Sequence, residues 1–174
     1  FDWKTLEGKH YRVHWYQGDL QLAQDILNAA EKGASRIDEL LRLPSPEMLD
    51  IYVYHDADSM QATLSEFTQD WVAGHADPDL GVILVALPEG PEQSLLIEQR
   101  IPHELMHILI YQFIPVGYKN LPAWLSEGLA SQAELYPNPD YRILLEEAAQ
   151  RNSLLPISEL CYTFPREAYK ALLS

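Results

Sequence analysis

The chain has a single cysteine, Cys161, and only 12 basic residues against 26 acidic ones in 174 positions. One cysteine excludes an internal disulfide and a cysteine-built metal site, and reads as a small buried apolar residue. The shortage of lysine and arginine leaves a formal charge of −14. That charge repels phosphate backbones and anionic lipid surfaces and provides no basic stripe, which argues against a nucleic-acid partner. No uncharged apolar run reaches the ~18 residues that a membrane-spanning helix needs, so no direct membrane insertion is expected of this segment. The first residues also lack the basic start and apolar core of a secretory leader. No internal repeat, low-complexity tract or long linker divides the sequence.

What remains is a chain with 47% hydrophobic and 10% aromatic residues, which suits one folded domain over residues 1–174 with a sizeable core. The stretch that organises it is Ile101-Pro102-His103-Glu104-Leu105-Met106-His107. Two histidines four positions apart on a helix stand one turn above each other, so both imidazoles can reach one metal ion. Glu104, directly after the first histidine, falls beside the metal rather than on it. There its carboxylate is within reach of the water that a metal activates, which is where a general base belongs.

Twenty residues past His107, the helical run Leu121-Pro122-Ala123-Trp124-Leu125-Ser126-Glu127-Gly128-Leu129-Ala130 carries one acidic residue among apolar neighbours. A carboxylate in such a setting is costly unless it is paired or metal-bound. A catalytic zinc takes three protein ligands and keeps a fourth position for water, and Glu127 supplies the third.

These two motifs together resemble the gluzincin metallopeptidases, in particular peptidase MA-like domains. The resemblance extends weakly through Trp3 to Asp19, the long first helix and the segment from Ile51 to Val85. It implies an α+β fold of the thermolysin-like zincin type, with a small, mostly antiparallel sheet packed on a central active-site helix and further helices. It implies one Zn2+ per chain on His103, His107 and Glu127, with Glu104 as base, and a peptide or protein substrate. It also implies a secreted or cell-surface protein, and a domain excised from a longer chain and truncated at its C-terminus. Many gluzincins carry an Asp four residues beyond the ligand glutamate to orient a ligand histidine; Ser131 stands at that position here, which leaves the support of the histidines open. Gluzincins also add a Tyr or His that supports the oxyanion, for which Tyr169, Tyr162 and His75 are the candidates, Tyr169 first.

Taken in order, His10 to Tyr16 alternates with a period of two and predicts a half-exposed strand whose polar face carries His10 and His14, a solvated face rather than a metal site. Gly18-Asp19 offers a helix cap, and Ala23, Ile26, Leu27, Ala30, Ala34, Ile37, Leu40 and Leu41 recur at helical spacing until Pro44. Leu49 to His55 reads as a second strand covered on both faces. Asp56 to Phe67 reads as a short helix with Met60 and Leu64 in the core, and Trp71 to Asp79 as loop. Gly81 to Ala86 is a compact apolar strand. Thermolysin-like folds pair an edge strand with an extended substrate, so Val82, Ile83 and Leu84 are expected to form that edge, an ordinary buried strand being the alternative.

The helix carrying His103 follows the break at Pro88 to Pro91, with a start or kink expected at Pro102. It is apolar on several faces and so central, and Pro115 and Gly117 end it. The next helix, from about Pro122 to Leu135, presents Glu127, Ser131 and Glu134 near one face. Glu134, at the helix end beside Pro137, is read as solvated. Asp140 to Asn152 is helical, Leu154 to Leu160 a turn, and Arg166 to Leu173 a final short helix.

Three functions fit this pattern. The first is a zinc metallopeptidase in which Glu104 moves the protons. The second is a zinc-binding but catalytically weak domain that holds peptide or protein, for which the intact Glu104 has no use. The third is a structural domain with an accidental motif, which would bury Glu104 and Glu127 unpaired at a cost of several kcal/mol.

Overall fold

The computed structural model describes residues 1–46, 48–64, 73–136 and 138–159. Its centre is a five-stranded sheet of β1 (Lys4–Glu7), β2 (Tyr11–Trp15), β3 (Leu49–Tyr54), β4 (Gly74–Asp77) and β5 (Val82–Ala86) in the order β1-β2-β3-β5-β4. The β2–β3 and β3–β5 pairs are parallel, and the two outer pairs are antiparallel. The sheet is thus mixed rather than mostly antiparallel. The physical reason lies in the connections: a tight turn can only reverse a strand, whereas a parallel neighbour needs a long crossover. The crossover from β2 to β3 is the helix α1 (Leu20–Leu41).

The Asp19 carboxylate caps α1 by accepting from the Leu22 amide at 3.2 Å. Ala23, Ile26, Leu27, Ala30 and Ile37 form its buried stripe. Arg42 then turns the chain left-handed, with its N–H on the Asp38 carbonyl at 2.8 Å. Two residues later Pro44 prevents any return to the helix. On one face of the sheet Tyr11, Val13, Trp15, Ile51, Val53, Ile83 and Val85 meet this stripe in the main core. Truncating a fully enclosed member such as Ile26 or Ile51 to alanine costs about 2–5 kcal/mol.

The other face is also covered. Tyr54, Ala86 and Met60 of the short helix α2 (Ala57–Gln61) form a second cluster with Trp3, Tyr16, Tyr52 and Leu84. The sequence predicts α2 as far as Phe67; it ends at Gln61, and residues 65–72 lie outside the described ones. His14 stacks on Tyr52 at 4.4 Å, bonds the Asp50 carboxylate at 2.7 Å and meets the Thr5 hydroxyl at 2.9 Å. His10 reaches the Pro46 carbonyl at 3.0 Å. His14, with its side chain 14% exposed, is therefore packed and bonded within the sheet face rather than solvated.

Two strand assignments are corrected. Val82, Ile83 and Leu84 do not form an edge, because β5 is flanked by β3 on one side and β4 on the other. Among the described residues the outer strand on that side is β4, within the stretch read as loop. A continuous apolar run is what a strand buried on both faces looks like, and that signal belongs to an interior position.

The helix α3 (Gln93–Phe113) runs unbroken through Pro102. Proline cannot donate to the carbonyl four residues back, and the Glu98 carbonyl instead accepts the amide of Leu135 at 3.0 Å. Pro102 itself packs on α1 at Gly33, where an added Cβ would lie 2.9 Å from the Pro102 Cβ. The helices α4 (Ala123–Ala133) and α5 (Pro139–Gln150) follow. Among the described residues no helix is long and apolar enough to cross a membrane.

Candidate metal centre

The helical repeat of α3 sets the His103 and His107 rings 5.2 Å apart, centre to centre. Glu127, on α4, bridges them: its Oε2 lies 3.2 Å from His103 Nε2 and its Oε1 lies 3.6 Å from His107 Nε2. A tetrahedral zinc with bonds of about 2.0–2.1 Å separates its ligand atoms by about 3.3 Å. The donor set and its spacing fit such an ion, and ligand atoms of the three residues lie within 4.8 Å of one another. The Glu127 side chain is 43% exposed, so the cluster opens to solvent on one flank.

The opposite nitrogens of the two imidazoles are held as well. His103 Nδ1 meets Glu134 Oε1 at 3.1 Å, and His107 Nδ1 meets the Ser126 hydroxyl at 3.2 Å. With a proton on each Nδ1, both Nε2 lone pairs face Glu127, the arrangement that metal ligation requires. Glu134 is therefore not solvated, as its position beside Pro137 suggests, but 3% exposed. It lies seven residues beyond Glu127, two helical turns on the same face, and provides the carboxylate that Ser131 cannot.

Charge explains why a cation belongs here. Burial works against a charged His103, but the bonds to Glu127 and Glu134 outweigh it and push its pKa up to about 10. Burial likewise opposes ionisation of Glu127, yet its bonds to His103 and His107 hold its carboxyl well below the usual range. In the metal-free protein a proton on His103 thus supplies the positive charge that the carboxylates demand.

Glu104 stands apart from the three converging groups. Its carboxylate lies against Gly74 of β4, where an added Cβ would fall 3.0 Å from the Glu104 Cδ and closer still to Oε1. Arg100, one turn earlier on α3, interacts with the Glu104 charge and donates to the Ala86 carbonyl at the end of β5. At the far end of this wall, the Tyr111 hydroxyl donates to Asp79 in the β4–β5 turn. The outer strand β4 therefore runs alongside α3 past Glu104.

The structure brings together His103, His107 and Glu127, with Glu104 next to them. It places Val82, Ile83 and Leu84 in the sheet interior, and His75 on β4 opposite Leu84. Tyr169, Tyr162 and Cys161 lie outside the described residues. Sequence reasoning passes over Gly74, Ser126 and Glu134; only Glu134 leaves a readable trace, in its helical phase with Glu127.

The sequence profile of the peptidase MA superfamily matches residues 29–174, and the chain belongs to that superfamily. The match begins within α1, so β1 and β2 lie outside it. No curated protein sequence matches the chain.

Proposed function

We propose that this chain is a zinc-dependent peptidase domain of the gluzincin type, hydrolysing peptide or protein substrates, with His103, His107 and Glu127 as ligands and Glu104 as general base. The observation that carries this reading is the convergence of two Nε2 atoms and one carboxylate at ligand spacing, each histidine held from behind, with a second carboxylate alongside. Zinc bound there would polarise the substrate carbonyl and make water acidic enough to lose a proton near neutral pH.

The chain's own groups do the rest. Glu104 accepts the proton of the attacking water and returns it to the departing amine. Among the described residues the outer side of β4, and not β5, is the backbone available to an extended peptide, which would lie along α3 past Glu104. The closeness of Gly74 to Glu104 supports this, since a substrate paired with β4 passes the base at that point.

Glu104→Gln removes the base and leaves the ligands. We expect it to keep its zinc and lose at least 100-fold in peptide turnover. Turnover at the unsubstituted rate would sink the assignment of Glu104. The contact of Glu134 with His103 supplies the support of a ligand histidine that Ser131 leaves open.

A further inference from the structure

Arg100 stands at the start of the face of α3 that carries the site. Arg100, Glu104, His107 and Tyr111 follow one another at offsets of four, three and four, so they form one stripe along the helix. One guanidinium nitrogen of Arg100 donates to the Ala86 carbonyl at the end of β5. The Ala86 amide donates in turn to the Ala73 carbonyl at 2.9 Å, and Ala73 directly precedes Gly74, the residue that abuts Glu104. Arg100 is thus anchored level with Ala73, one residue before the point where β4 meets Glu104, a step of about 3.3 Å along the strand.

Holding a carbonyl needs one N–H and no charge. Arg100 nevertheless brings a cation into a half-buried position, where burial lowers its pKa and the Glu104 charge opposes that shift. Arg12, Arg142 and Arg151 each close a salt bridge with a carboxylate. Arg100 closes none among the described residues, although the chain carries 26 acidic residues. Its other two nitrogens have no hydrogen-bond partner among the described residues, and neither is sealed from solvent. They belong to one flat fork of donors, a shape that matches a carboxylate. At the other end of the stripe the Tyr111 hydroxyl is tied to Asp79, so that end presents an acid. The wall is therefore positive on one side of Glu104 and negative on the other.

Resting on the peptidase reading above, we infer that Arg100 binds the terminal carboxylate of the substrate, so that the cleft removes one or two residues from the C-terminus of a peptide. A chain laid along β4 with its scissile carbonyl at Glu104 places the next residue or two beside Arg100. A free carboxylate there completes the fork with charge-assisted hydrogen bonds. Water adds to the carbonyl carbon, the C–N bond breaks, and the departing amine, protonated by Glu104, belongs to the short fragment that Arg100 holds. A chain that continued past this point would bring only a neutral peptide group to Arg100 and forgo the pairing.

The test uses an N-acetylated peptide with a free C-terminus and the same peptide amidated. The zinc-loaded chain should cut the free acid within two residues of its end, with kcat/KM about 10–100-fold above that for the amide, the range of a hydrogen bond to a charged group. Glu104→Gln, also loaded with zinc, should bind the acid more tightly than the amide by a similar factor in calorimetry. Arg100→Gln keeps a donor for the Ala86 carbonyl and loses the charge. It should cut acid and amide alike, at the rate at which the unsubstituted chain cuts the amide. Equal handling of acid and amide by the unsubstituted chain would overturn the assignment and leave the peptidase reading standing. A loss shared equally by both peptides in Arg100→Gln would also overturn it, reducing Arg100 to a fastener of β5. No cleavage of either peptide, together with tighter binding of the acid, would overturn the peptidase reading and keep the carboxylate site.

Discussion

The amide of Leu135 donates to the carbonyl of Glu98 at 3.0 Å, joining the end of α4 to α3. That carbonyl is free because Pro102, one turn later, has no N–H to offer it. The residue before Leu135 is Glu134, so the same bond sets the Glu134 carboxylate beside His103, the neighbour of Pro102. A proline that looks like a fault in the site helix therefore docks the second helix in the register the site needs.

Replacing Glu134 should damage metal binding more than folding. Removing a carboxylate that orients a ligand histidine typically costs 10–100-fold in metal affinity. Glu134→Ala should show a loss of about that size in a competition titration against a chelator. An affinity within twofold of the unsubstituted chain would mean that His103 does not depend on Glu134.

Gly74→Ala puts a methyl group where the Glu104 carboxylate now lies, 3.0 Å from its Cδ. We expect zinc content to be unchanged and turnover to fall at least tenfold, because a displacement of about 1 Å at the reacting groups can cost about 100-fold. Undiminished kcat would show that Glu104 works from another position.

Gly33→Ala separates two opposing effects. Helix propensity favours alanine by about 1 kcal/mol. The new Cβ would lie 2.9 Å and 3.1 Å from the Pro102 Cβ and Cγ, in a rigid ring that cannot swing away. Overpacking of this kind costs about 1–3 kcal/mol and should win. The urea midpoint should fall; a rise would show that α1 and α3 can separate at little cost.

If zinc binds as proposed, it must displace the proton from His103, whose pKa in the metal-free protein is, against the effect of burial, raised from 6.5 to about 10 by Glu127 and Glu134. Apparent zinc affinity should therefore rise with pH, by about tenfold per unit between pH 7 and 9. In the metal-free protein the sign is reversed for stability. The stabilisation from a raised histidine is complete below its unfolded value of 6.5 and is lost as pH rises through about 10. Titrations at three pH values check the first statement, and denaturation of the metal-free chain checks the second.

The sequence makes legible whatever is local and periodic. The stripe from Ala23 to Ile37, the alternation of β2 and the pair His103 and His107 each repeat at the period of their element, and each lies where that period places it. Glu127 is legible because a lone carboxylate in an apolar run calls for a partner. The burial of Glu134 is not legible, since it depends on how α4 crosses α3, and a helix end beside proline ordinarily faces water. The strand β4 is missed because Gly74, His75, Ala76 and Asp77 have little strand propensity and are held by pairing with β5. The order of strands is a property of the whole sheet, so β5 could be recognised as a strand while its interior position could not.

The most direct test of the central claim is the metal content of the purified chain at neutral pH beside that of Glu127→Ala. About one zinc per chain, lost or strongly weakened by the substitution, is the predicted result. No zinc bound by the unsubstituted chain, even when the metal is supplied, would contradict the account and leave His103 and His107 as histidines of the core.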